Sequence, residues 1–537
     1  MKIRIVGVLL LLAMLISVLA ACGTSDTPKP AGQETNQNGQ TPSGGKETSS
    51  QGGNETSSQG GEGETSSQGG EGETSSQGGD PGTETGPVVV IDDPTDDGLE
   101  AEDFNKYVFT VLYSRRGLLV LSETEDFTGD LIEDAIYEGA EAVKEKYNVV
   151  YERILAGGDD EMSNRVQNSV LSAGTVDEFS MTIGHDFLTV QNAMRGCYAD
   201  LTEVEAFDNF SKPWWPLNNL NSISVGGRLY AASSYVSYSP LAASSAILFN
   251  KKLIRDLGLD APYSLVTDGN WTMEQLLEYA QAGYQDLNND GVINIDSGEV
   301  YGFSMGRECG YTFQRSVDVV PIQKDQNDLP YFDLDVERAH SFLSNLDSIF
   351  EFGKFFLEDN NSHNVAFGAN ASLMIFTSLN TVYKTIRAYE GITYGFLPVP
   401  KLDQEQENYI AGSTDLLWGI PQTSSGHMKE ISSVIQSLSC QCYNYVLPAF
   451  YESTMKTKLS DTPEDVDMLD IIRDSTALSF AYFYSRSLGG AAVSMADLPR
   501  QTKAGEIASY VSANQKTLEE NIAHLIEQYQ ELQNLLD

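Results

Sequence analysis

Basic residues are scarce in this sequence. The 537-residue chain has 33 Lys and Arg against 77 Asp and Glu, a formal net charge of −44 at pH 7. A surface with this balance repels nucleic-acid phosphates and anionic lipid headgroups, so both are excluded as main partners. Several catalytic motifs are also missing, because the sequence contains no HExxH zinc motif, no Walker phosphate loop and no paired CxxC.

Cysteine is scarce as well, with five residues in the chain. Apart from Cys22, they are Cys197, Cys309, Cys440 and Cys442. An exported chain can pair such cysteines, but sequence alone does not give the connectivity. The last two are separated by one residue in an apparent apolar helix, so their side chains point away from each other. This spacing favours buried free thiols over a disulfide.

The N-terminus has the pattern of an export signal. Two basic residues precede an almost unbroken apolar run over 5–19, which is too short for a membrane span and fits a secretory signal. The run leads into Leu-Ala-Ala-Cys, which ends at Cys22 and resembles the bacterial lipoprotein box. The resemblance implies a signal peptide over 1–21 and a lipid anchor at Cys22, on the extracytoplasmic face of the cell membrane. The alternative is an ordinary signal peptide with an incidental cysteine.

Residues 22–103 have a composition that cannot build a core. Gly, Ser, Thr, Gln and Glu dominate, and the string ETSSQGG begins at Glu47, Glu55, Glu64 and Glu73. A repeat this short has no apolar face to bury, which predicts a disordered linker rather than a solenoid. Its roughly 75 residues give an average reach on the order of 50 Å.

The remaining residues, 104–537, alternate between strand and helix patterns. The first predicted elements are strands at 107–113, 149–155 and 179–183, separated by helices at 130–147 and 160–173. This order predicts an α/β fold with parallel strands. Such sheets hold ligands outside the carboxyl ends of their strands, so we expect the loops that follow these strands to face a site.

Several strings along the folded part resemble the family-one extracellular solute-binding proteins, the carbohydrate-import receptors of the maltose-binding-protein type. FNKKL at 249–253 and DGNWTMEQL at 268–276 are the most telling. The others include DAIYEGAEAVKEKYNV at 134–149, PWW at 213–215, GGRLYAA at 226–232, VYGFSMG at 300–306, ASLMIF at 371–376 and YGFLPVPK at 394–401. The strings stand in family order and together cover nearly all of 104–537.

The resemblance implies a two-lobe periplasmic-binding-protein-like fold, in which a hinge closes the lobes on a ligand. By analogy, lobe 1 comprises 104–243 and 412–462, and lobe 2 comprises 244–411 and 463–537. The implied function is that of a monomeric substrate-binding lipoprotein, which performs no chemistry and delivers a carbohydrate to the permease of an ATP-driven (ABC) importer. The alternatives are a glycan-acting surface hydrolase and a surface adhesin or sensor lipoprotein that binds ligand without transport.

Aromatic residues are the first candidates for the ligand site, because the apolar faces of sugar rings stack on aromatic rings. Trp418 lies in a string similar to a family strand near the lobe crossing, with core packing as the alternative. Trp215 belongs to an adjacent pair of tryptophans, of which one can point outward. Tyr235 and Tyr238 lie where the chain approaches the crossing.

Polar candidates follow the predicted strands. His185 and Asp186 come after the third strand, and maltose-binding proteins have a similar pair whose aspartate binds sugar hydroxyls. The resemblance implies this role for Asp186, and the alternative is a helix N-cap. Arg115 follows the first strand, where the family often has a ligand-facing polar residue. Further candidates near other family cleft positions are Tyr311, Asn380 and Tyr482.

A polar loop matches the first half of an EF-hand calcium loop, D-x-N-x-D-G. The predicted ligands are Asp286, Asn288, Asp290, Val292 through its carbonyl, Asn294, Asp296 and Glu299. Position twelve of an EF-hand loop should be a bidentate acid, but here it is Ser297, with acids on either side. The sequence therefore leaves two interpretations, a structural calcium site and a solvated polar turn.

One further string, 302–306, formally matches the G-x-S-x-G motif of hydrolases. A nucleophilic Ser304 needs a sharp turn between a strand and a helix, and a histidine partner later in the chain. None of the later histidines lies in a recognisable triad context, so this string does not make the chain an enzyme.

Overall fold

The computed structural model describes residues 96–114, 121, 126–176 and 178–536. The predicted signal peptide, Cys22 and the linker up to residue 95 lie outside the described residues, as does Arg115. No helix in the described ranges is both long enough and apolar enough to cross a bilayer.

The described chain is an α/β structure. Its strands are β1 (Tyr107–Tyr113), β2 (Val149–Leu155), β3 (Met181–His185), β4 (Ser245–Asn250), β5 (Tyr301–Gly306), β6 (Ile322–Lys324), β7 (Pro330–Phe332), β8 (Gly353–Phe356), β9 (Ser372–Ser378), β10 (Tyr394–Leu397), β11 (Ala411–Gly412), β12 (Leu416–Gly419) and β13 (Thr476–Ala477). Its first helices are α1 (Leu131–Tyr147), α2 (Asp159–Leu171), α3 (Asp186–Met194), α4 (Leu217–Ile223), α5 (Ser239–Ala242), α6 (Lys251–Asp256), α7 (Tyr263–Thr267), α8 (Met273–Gly283) and α9 (Gly310–Ser316). The later helices are α10 (Val336–Ile349), α11 (Ser362–Gly368), α12 (Leu379–Lys384), α13 (Met428–Gln441), α14 (Pro463–Asp474), α15 (Phe480–Phe483), α16 (Ala491–Ser494), α17 (Leu498–Gln501) and α18 (Ile507–Leu536), with two π-helical segments at Cys442–Val446 and Ala449–Lys458.

Helix α1 shows how the sequence specifies these elements. Asp130 caps its N-terminus by accepting hydrogen bonds from the backbone amides of Ile132 and Glu133, and Asn148 ends it in the left-handed conformation. Acidic residues occupy its first turn and lysines its last, which complements the helix dipole. Its apolar residues recur at helical spacing and are buried against the first sheet and the helices beside it.

The first sheet has the strand order β12-β3-β1-β2 and forms the centre of lobe 1. Strand β1 pairs in parallel with both β2 and β3, which confirms the parallel pairing predicted from the sequence. Strand β3 begins two residues later than predicted and ends at His185. Strand β12, from a distant part of the chain, joins β3 in the antiparallel direction.

The second sheet has the order β10-β4-β9-β5-β8 and forms the centre of lobe 2. Strand β5 is parallel to β8 and β9, while β4 is antiparallel to β9 and β10. Strands β4 and β9 are buried almost throughout, because helices cover both faces of the sheet.

The chain passes between the lobes at 240–244, 411–415 and 459–462. After the last of these segments, α14 packs on lobe 2, where the carboxylate of Asp465 accepts hydrogen bonds from Lys251 Nζ, at 2.6 Å, and from the backbone amide of Phe396, at 3.1 Å. Strand β13 then pairs with β11 beside the junction, and the hydroxyls of Ser244 and Thr476 are 2.8 Å apart. The two lobes are therefore joined by several short, mutually bonded segments.

The packed body begins earlier than the predicted boundary at residue 104. Asp97 is 6% exposed, its carboxylate is 2.7 Å from Lys146 Nζ, and its carbonyl accepts a hydrogen bond from Gln436. The Asp97 carboxylate also accepts a hydrogen bond from the Ser437 hydroxyl. The linker predicted over 22–103 stays a prediction for the residues before 96, and the sequence contained no signal that Asp97 joins the packed body.

All four described cysteines have free thiols, and Cys197, Cys440 and Cys442 are buried. Cys440 lies in the last turn of α13, and Cys442 is the first residue of the π-helical segment that continues this helix. This arrangement agrees with the free thiols that the spacing favoured.

Candidate ligand-binding site

Asp186 lies directly after β3, at the carboxyl edge of the first sheet. It is the first residue of α3, and the N-cap position belongs to His185. Its carboxylate is 3% exposed and lies against the His185 imidazole. The N-cap alternative for Asp186 therefore does not hold, and the carboxylate is placed at the edge where open α/β sheets hold ligands.

Tyr311 and Tyr482 form a stacked pair next to Asp186. Their ring centroids are 4.2 Å apart and their planes are inclined by 18°. The Tyr482 hydroxyl is hydrogen-bonded to the Asp186 carboxylate, and burial raises the pKa of both tyrosines, so both remain protonated donors at neutral pH. Phe187 meets the Tyr482 ring edge-on, with centroids 6.4 Å apart.

This cluster joins the carboxyl edges of the two sheets. Asp186 follows β3 of lobe 1, whereas Tyr311 lies on α9, which follows β5 of lobe 2. Tyr482 lies on α15, in the C-terminal segment, which is fixed to lobe 2 through hydrogen bonds between Gln314 and the backbone of Met495 and Leu498. The structure therefore brings together three of the nine predicted ligand residues, at a contact between the lobes.

Asp415 lies near this cluster, in a segment that crosses between the lobes. It is 4% exposed, and its carboxylate accepts hydrogen bonds from the hydroxyls of Ser233 and Ser239 and from the backbone amide of Leu416. Burial raises its pKa to about 7, and the charge of Asp186 adds to this effect. The two acids therefore interact electrostatically beside the junction of the lobes.

Buried polar atoms without a hydrogen-bond partner in the described chain also occur at these strand ends. In lobe 1, Ser114 Oγ follows β1. In lobe 2, Thr377 Oγ1 and Asn380 Oδ1 lie at the end of β9, and His363 Nδ1 and Asn364 Oδ1 lie on α11, which packs against β5 and β9. A buried polar group left unpaired costs about 1–3 kcal/mol, so such atoms mark positions where a ligand or solvent group completes the bonding.

His363 is the most informative of these groups. It is 4% exposed, and its ring lies against Gly306, where an added Cβ would be 2.4 Å from the imidazole. Burial lowers its pKa to about 4, so the imidazole is neutral at physiological pH. A neutral imidazole can accept one hydrogen bond and donate another, which suits a hydroxyl group.

Trp418 is placed differently from its predicted role. It is fully buried in lobe 1, its indole N–H donates to Ser234 Oγ at 2.9 Å, and its ring packs against Phe207 and Trp215. An enclosed ring has no free face for a sugar, so the stacking role predicted for Trp418 is corrected to core packing. The sequence around Trp418 predicted a strand correctly, but it could not predict that the side chain points into the core.

Tyr238 is also a core residue. It is 3% exposed, and its ring lies 5.3 Å from that of Phe450. The proposed cleft role of Tyr238 is corrected for the same reason as that of Trp418, because the ring has no open face. Asn380 keeps its place at the end of β9, and Arg115 lies outside the described residues.

Trp215 and Tyr235 line a separate cavity of about 390 Å³. Its walls come from the 210–219 segment of lobe 1, the crossing segment at Pro240, and Arg473 and Asp474 at the end of α14. Trp215 is 2% exposed, and its indole N–H is bonded to Gln436. These two candidates are therefore not part of the Asp186 cluster, and the sequence could not separate the two locations.

The predicted calcium loop is held by its own hydrogen bonds. Asp286 Oδ2 accepts from the amide of Gly291 at 2.8 Å, and both oxygens of Glu299, which is 1% exposed, accept backbone amides. Among the described residues, no three acidic, histidine or cysteine side chains are gathered as a metal site requires. Asp286 Oδ1 remains buried without a partner, so calcium binding stays a prediction. The remaining predicted ligands, Asn288, Asp290, Val292, Asn294 and Asp296, form the exposed outer part of the loop and its short continuation.

Ser304 lies inside β5 rather than at a turn. It is fully buried, and its hydroxyl accepts a hydrogen bond from Ser372 at 3.0 Å. Ser304 therefore lacks the sharp turn between strand and helix that a nucleophilic serine of the G-x-S-x-G motif requires.

Sequence reasoning missed three residues beside the cluster, Phe187, Asp415 and Arg486, and it also missed His363 at the end of β5. The Arg486 guanidinium lies over the Phe187 ring, 4.7 Å from its centroid, and 3.6 Å from the Asp160 carboxylate. Position relative to the strands was a usable signal for Phe187, because it is next to Asp186. The other three lie on a crossing segment, a short helix and a loop, where periodicity carries no information.

Solved structures resemble this chain in fold, at low sequence identity. The galacto-N-biose-/lacto-N-biose I-binding protein of an ABC transporter from Bifidobacterium longum, in complex with lacto-N-biose, matches with a TM-score of 0.52 and 12% identity, covering 79% of this chain and 98% of that chain. An uncharacterized protein from Listeria monocytogenes matches with a TM-score of 0.50 and 13% identity, covering 77% and 100%.

The fold is that of the two-lobe periplasmic binding proteins. The expected fold class is confirmed, since the two sheets and their connections match structures of this type over nearly their whole length. The acarbose-binding GacH receptor of Streptomyces glaucescens has a TM-score of 0.47 at 14% identity, covering 79% of this chain and 98% of that chain. No protein-family model matches the chain, and no match is found among curated proteins.

Proposed function

We propose that this protein is the substrate-binding lipoprotein of an ABC importer, which captures a carbohydrate and delivers it to a membrane permease. The observation that carries the proposal is the meeting of the two sheet edges at Asp186, Tyr311 and Tyr482. A ligand between the lobes can contact both edges, and closure of the lobes around it is the usual means of capture in two-lobe binding proteins.

The chemistry of the cluster supports a carbohydrate, and an oligosaccharide in particular. Aromatic rings offer apolar platforms for sugar faces, and the Asp186 carboxylate accepts two hydroxyl donors. The neutral groups on lobe 2, such as His363 and Asn364, add acceptors for further hydroxyls. A structure of the same fold contains lacto-N-biose, so hexosamine disaccharides are natural first ligands for a screen.

A binding experiment tests the proposal. The chain from residue 22 is screened by thermal shift against mono-, di- and oligosaccharides, and the best ligand is measured by titration calorimetry. Replacing Asp186 by Ala should weaken binding by about 1–3 kcal/mol, because ligand hydroxyls lose their acceptor. Asp335→Ala is the control, because Asp335 is an exposed helix cap of lobe 2. No binding by any sugar, or an equal loss in both variants, would contradict the proposed site.

Transport is tested separately from binding. Cells that depend on this protein should take up the labelled sugar, and the Asp186→Ala variant should lower uptake at limiting sugar concentration while its abundance stays unchanged. A protein that binds the sugar but whose deletion leaves uptake intact is a surface receptor without a transport role. Release of glycan products on incubation would favour the hydrolase alternative.

The membrane anchor rests on Cys22 alone. Lipidation of this residue would hold the protein at the membrane through acyl chains, with the linker between the bilayer and the folded body. Replacing Cys22 by Ala should release the protein into the soluble fraction and abolish incorporation of labelled fatty acid. Continued incorporation in this variant would contradict the anchor.

A further inference from the structure

The two lobes are also bonded to each other at a place away from the crossing segments and from the Asp186 cluster. Lys324, the last residue of β6 in lobe 2, donates hydrogen bonds to the backbone carbonyls of Asn221 and Ser224 in lobe 1. Its ammonium is also 3.2 Å from Ser224 Oγ and 2.9 Å from the carboxylate of Asp328 on its own hairpin. The Lys324 side chain is 17% exposed, so these bonds are largely shielded from water.

The turn of lobe 1 that contains Gly226 and Gly227 binds the β6–β7 hairpin through backbone amides. The amide of Gly226 donates to the carbonyl of Asp328, and the amide of Gly227 donates to its carboxylate, both at 3.0 Å. Both glycines have positive φ, at 60° and 74°, a conformation that residues with a Cβ rarely adopt. The turn therefore presents two consecutive donors to one aspartate.

The C-terminal segment completes this contact. The Tyr484 hydroxyl is 2.6 Å from the carbonyl of Ile223 and 2.6 Å from the hydroxyl of Tyr529 on α18. The ring of Tyr230 meets that of Tyr529 at 5.5 Å. We call the contact of turn 221–230 with Lys324, Asp328, Tyr484 and Tyr529 the latch.

Each side of the latch is firmly fixed to its own lobe. The turn is held to lobe 1 by the hydrogen bond from Leu201 N to Leu229 O, at 2.8 Å, and by the reciprocal backbone bonds between Ala232 and Trp418. The hairpin and the C-terminal segment are held to α9 of lobe 2 by Gln314, which donates to the carbonyls of Val319 and Met495. The latch therefore connects two separately anchored bodies.

Helix α15 links the latch directly to the ligand cluster. Phe480 stacks on Tyr484 with centroids 4.2 Å apart, and the Lys324 ammonium lies 5.2 Å from the centroid of the Phe480 ring. Tyr482, on the same short helix, contacts Tyr311 and Asp186. Helix α15 and Tyr484, the residue that ends it, thus carry both the ring that meets the predicted ligand position and the rings that support the latch.

We propose that the latch fastens the two lobes in the closed arrangement without ligand and sets the equilibrium between closed and open forms. Opening the lobes requires removal of the Lys324 ammonium from the carbonyls of Asn221 and Ser224. It also requires removal of Asp328 from the amides of Gly226 and Gly227, and these costs favour the closed form. A ligand can shift such an equilibrium only by its differential affinity for the two forms. The consequence for ligand affinity rests on the proposed function, but the fastening of the lobes does not.

The test compares inter-lobe distances in the ligand-free protein. Fluorophores are attached by bio-orthogonal chemistry at Val150 and Lys354 of the full chain, which are exposed positions on β2 and β8. These are the edge strands farthest from β12 and from β4 and β10 in their sheets, so hinge opening should change their separation. Single-molecule energy transfer should show about a tenfold rise in the open population when Lys324 is replaced by Met.

Two further variants keep the test decisive. Tyr484→Phe removes the hydroxyl bonded to Ile223 and keeps the ring, and it should raise the open population by a few fold. Lys252→Met is the control, because this exposed lysine pairs with Asp256 on its own helix α6, at 2.6 Å, and should change nothing. Unchanged distances in both latch variants would overturn the latch, whether or not any sugar binds. Failure of all sugars to bind, with distances shifted as expected, would overturn the proposed function alone.

Discussion

Tyr482 stacks on Tyr311 with ring centroids 4.2 Å apart, and its hydroxyl is hydrogen-bonded to Asp186 on the opposite lobe. The stack fixes the tyrosine ring, and the hydroxyl then fixes the carboxylate. Phe187, next to Asp186, packs on the edge of the same ring. The contact between the lobes at Asp186 therefore depends on one aromatic residue from the C-terminal segment.

Removing the Tyr482 hydroxyl tests this dependence. We expect Tyr482→Phe to weaken binding of the best sugar by about 0.5–1.5 kcal/mol, because Asp186 loses a partner that orients it. Titration calorimetry gives the affinity. Tyr383→Phe is the matched control, since the Tyr383 hydroxyl also reaches an aspartate across the lobes, Asp130, at 3.4 Å. Equal effects in the two variants would mean that Tyr482 acts only in closure.

Trp418 should matter for stability rather than for binding. Trp418→Ala removes a fully buried indole, and we expect it to lower the free energy of unfolding by about 3–5 kcal/mol. Trp418→Phe should cost less, and its sugar affinity should equal that of the parent. Urea denaturation and calorimetry measure the two quantities. A selective loss of affinity in Trp418→Phe would restore the stacking role.

Two truncations locate the start of the folded body. A chain that begins at residue 96 should melt like the full protein, whereas one that begins at residue 104 should lose about 1.5–3 kcal/mol. The shorter chain lacks Asp97, which leaves Lys146 and Gln436 without their partner. Differential scanning calorimetry compares the two. Identical melting temperatures would show that the contact of Asp97 adds nothing.

Asp415 predicts a pH dependence of stability. Burial raises its pKa to about 7, against about 3.9 in an unfolded chain. The folded state therefore retains a proton that the unfolded state loses, so this stabilisation is complete below pH 4 and is lost as pH rises to about 7. In Asp415→Asn, the melting temperature should fall less between pH 4 and pH 8 than in the parent. Asp497, whose pKa burial raises to about 6, contributes equally to both proteins. Parallel curves would show that Asp415 titrates normally.

The 286–299 loop predicts a calcium effect. If the loop is a structural site, calcium at one hundred times the dissociation constant should add about 2.7 kcal/mol to the free energy of unfolding. Asp290→Ala should abolish the resulting rise in melting temperature, while magnesium at the same concentration should give a smaller rise. A parent protein that melts at the same temperature with calcium and with chelator has only a polar turn here.

Sequence patterns predicted the fold well because hydrophobic periodicity reports local structure directly. The alternation over 107–194 gave β1, α1, β2 and α2 nearly at their observed bounds, and the parallel order of β1, β2 and β3 followed from it. Asp186 was placed correctly for the same reason, since the end of a parallel strand defines the edge of the sheet.

The direction of individual side chains could not be predicted in this way. Trp418 and Tyr238 were expected beside the crossing and do lie near it, but packing against Phe207 and Phe450 turns their rings into the core. Asp97 and Asp415 gave no signal because each is a single acid whose serine partner, Ser437 or Ser233, is more than 150 residues away in sequence. Such partners become adjacent only when both lobes are complete.

The distance along the chain between β3 and β12 has a consequence for biosynthesis. A ribosome that adds roughly 5–20 residues per second makes Leu416 roughly 10–50 s after His185, its partner in the sheet. During that interval β3 has an open edge, a row of unpaired amides and carbonyls that can pair with another chain. The second sheet is encoded wholly within this interval and can form first. Of the two central sheets, the one that is begun first is therefore completed last, and its open edge is where a chaperone would be most useful.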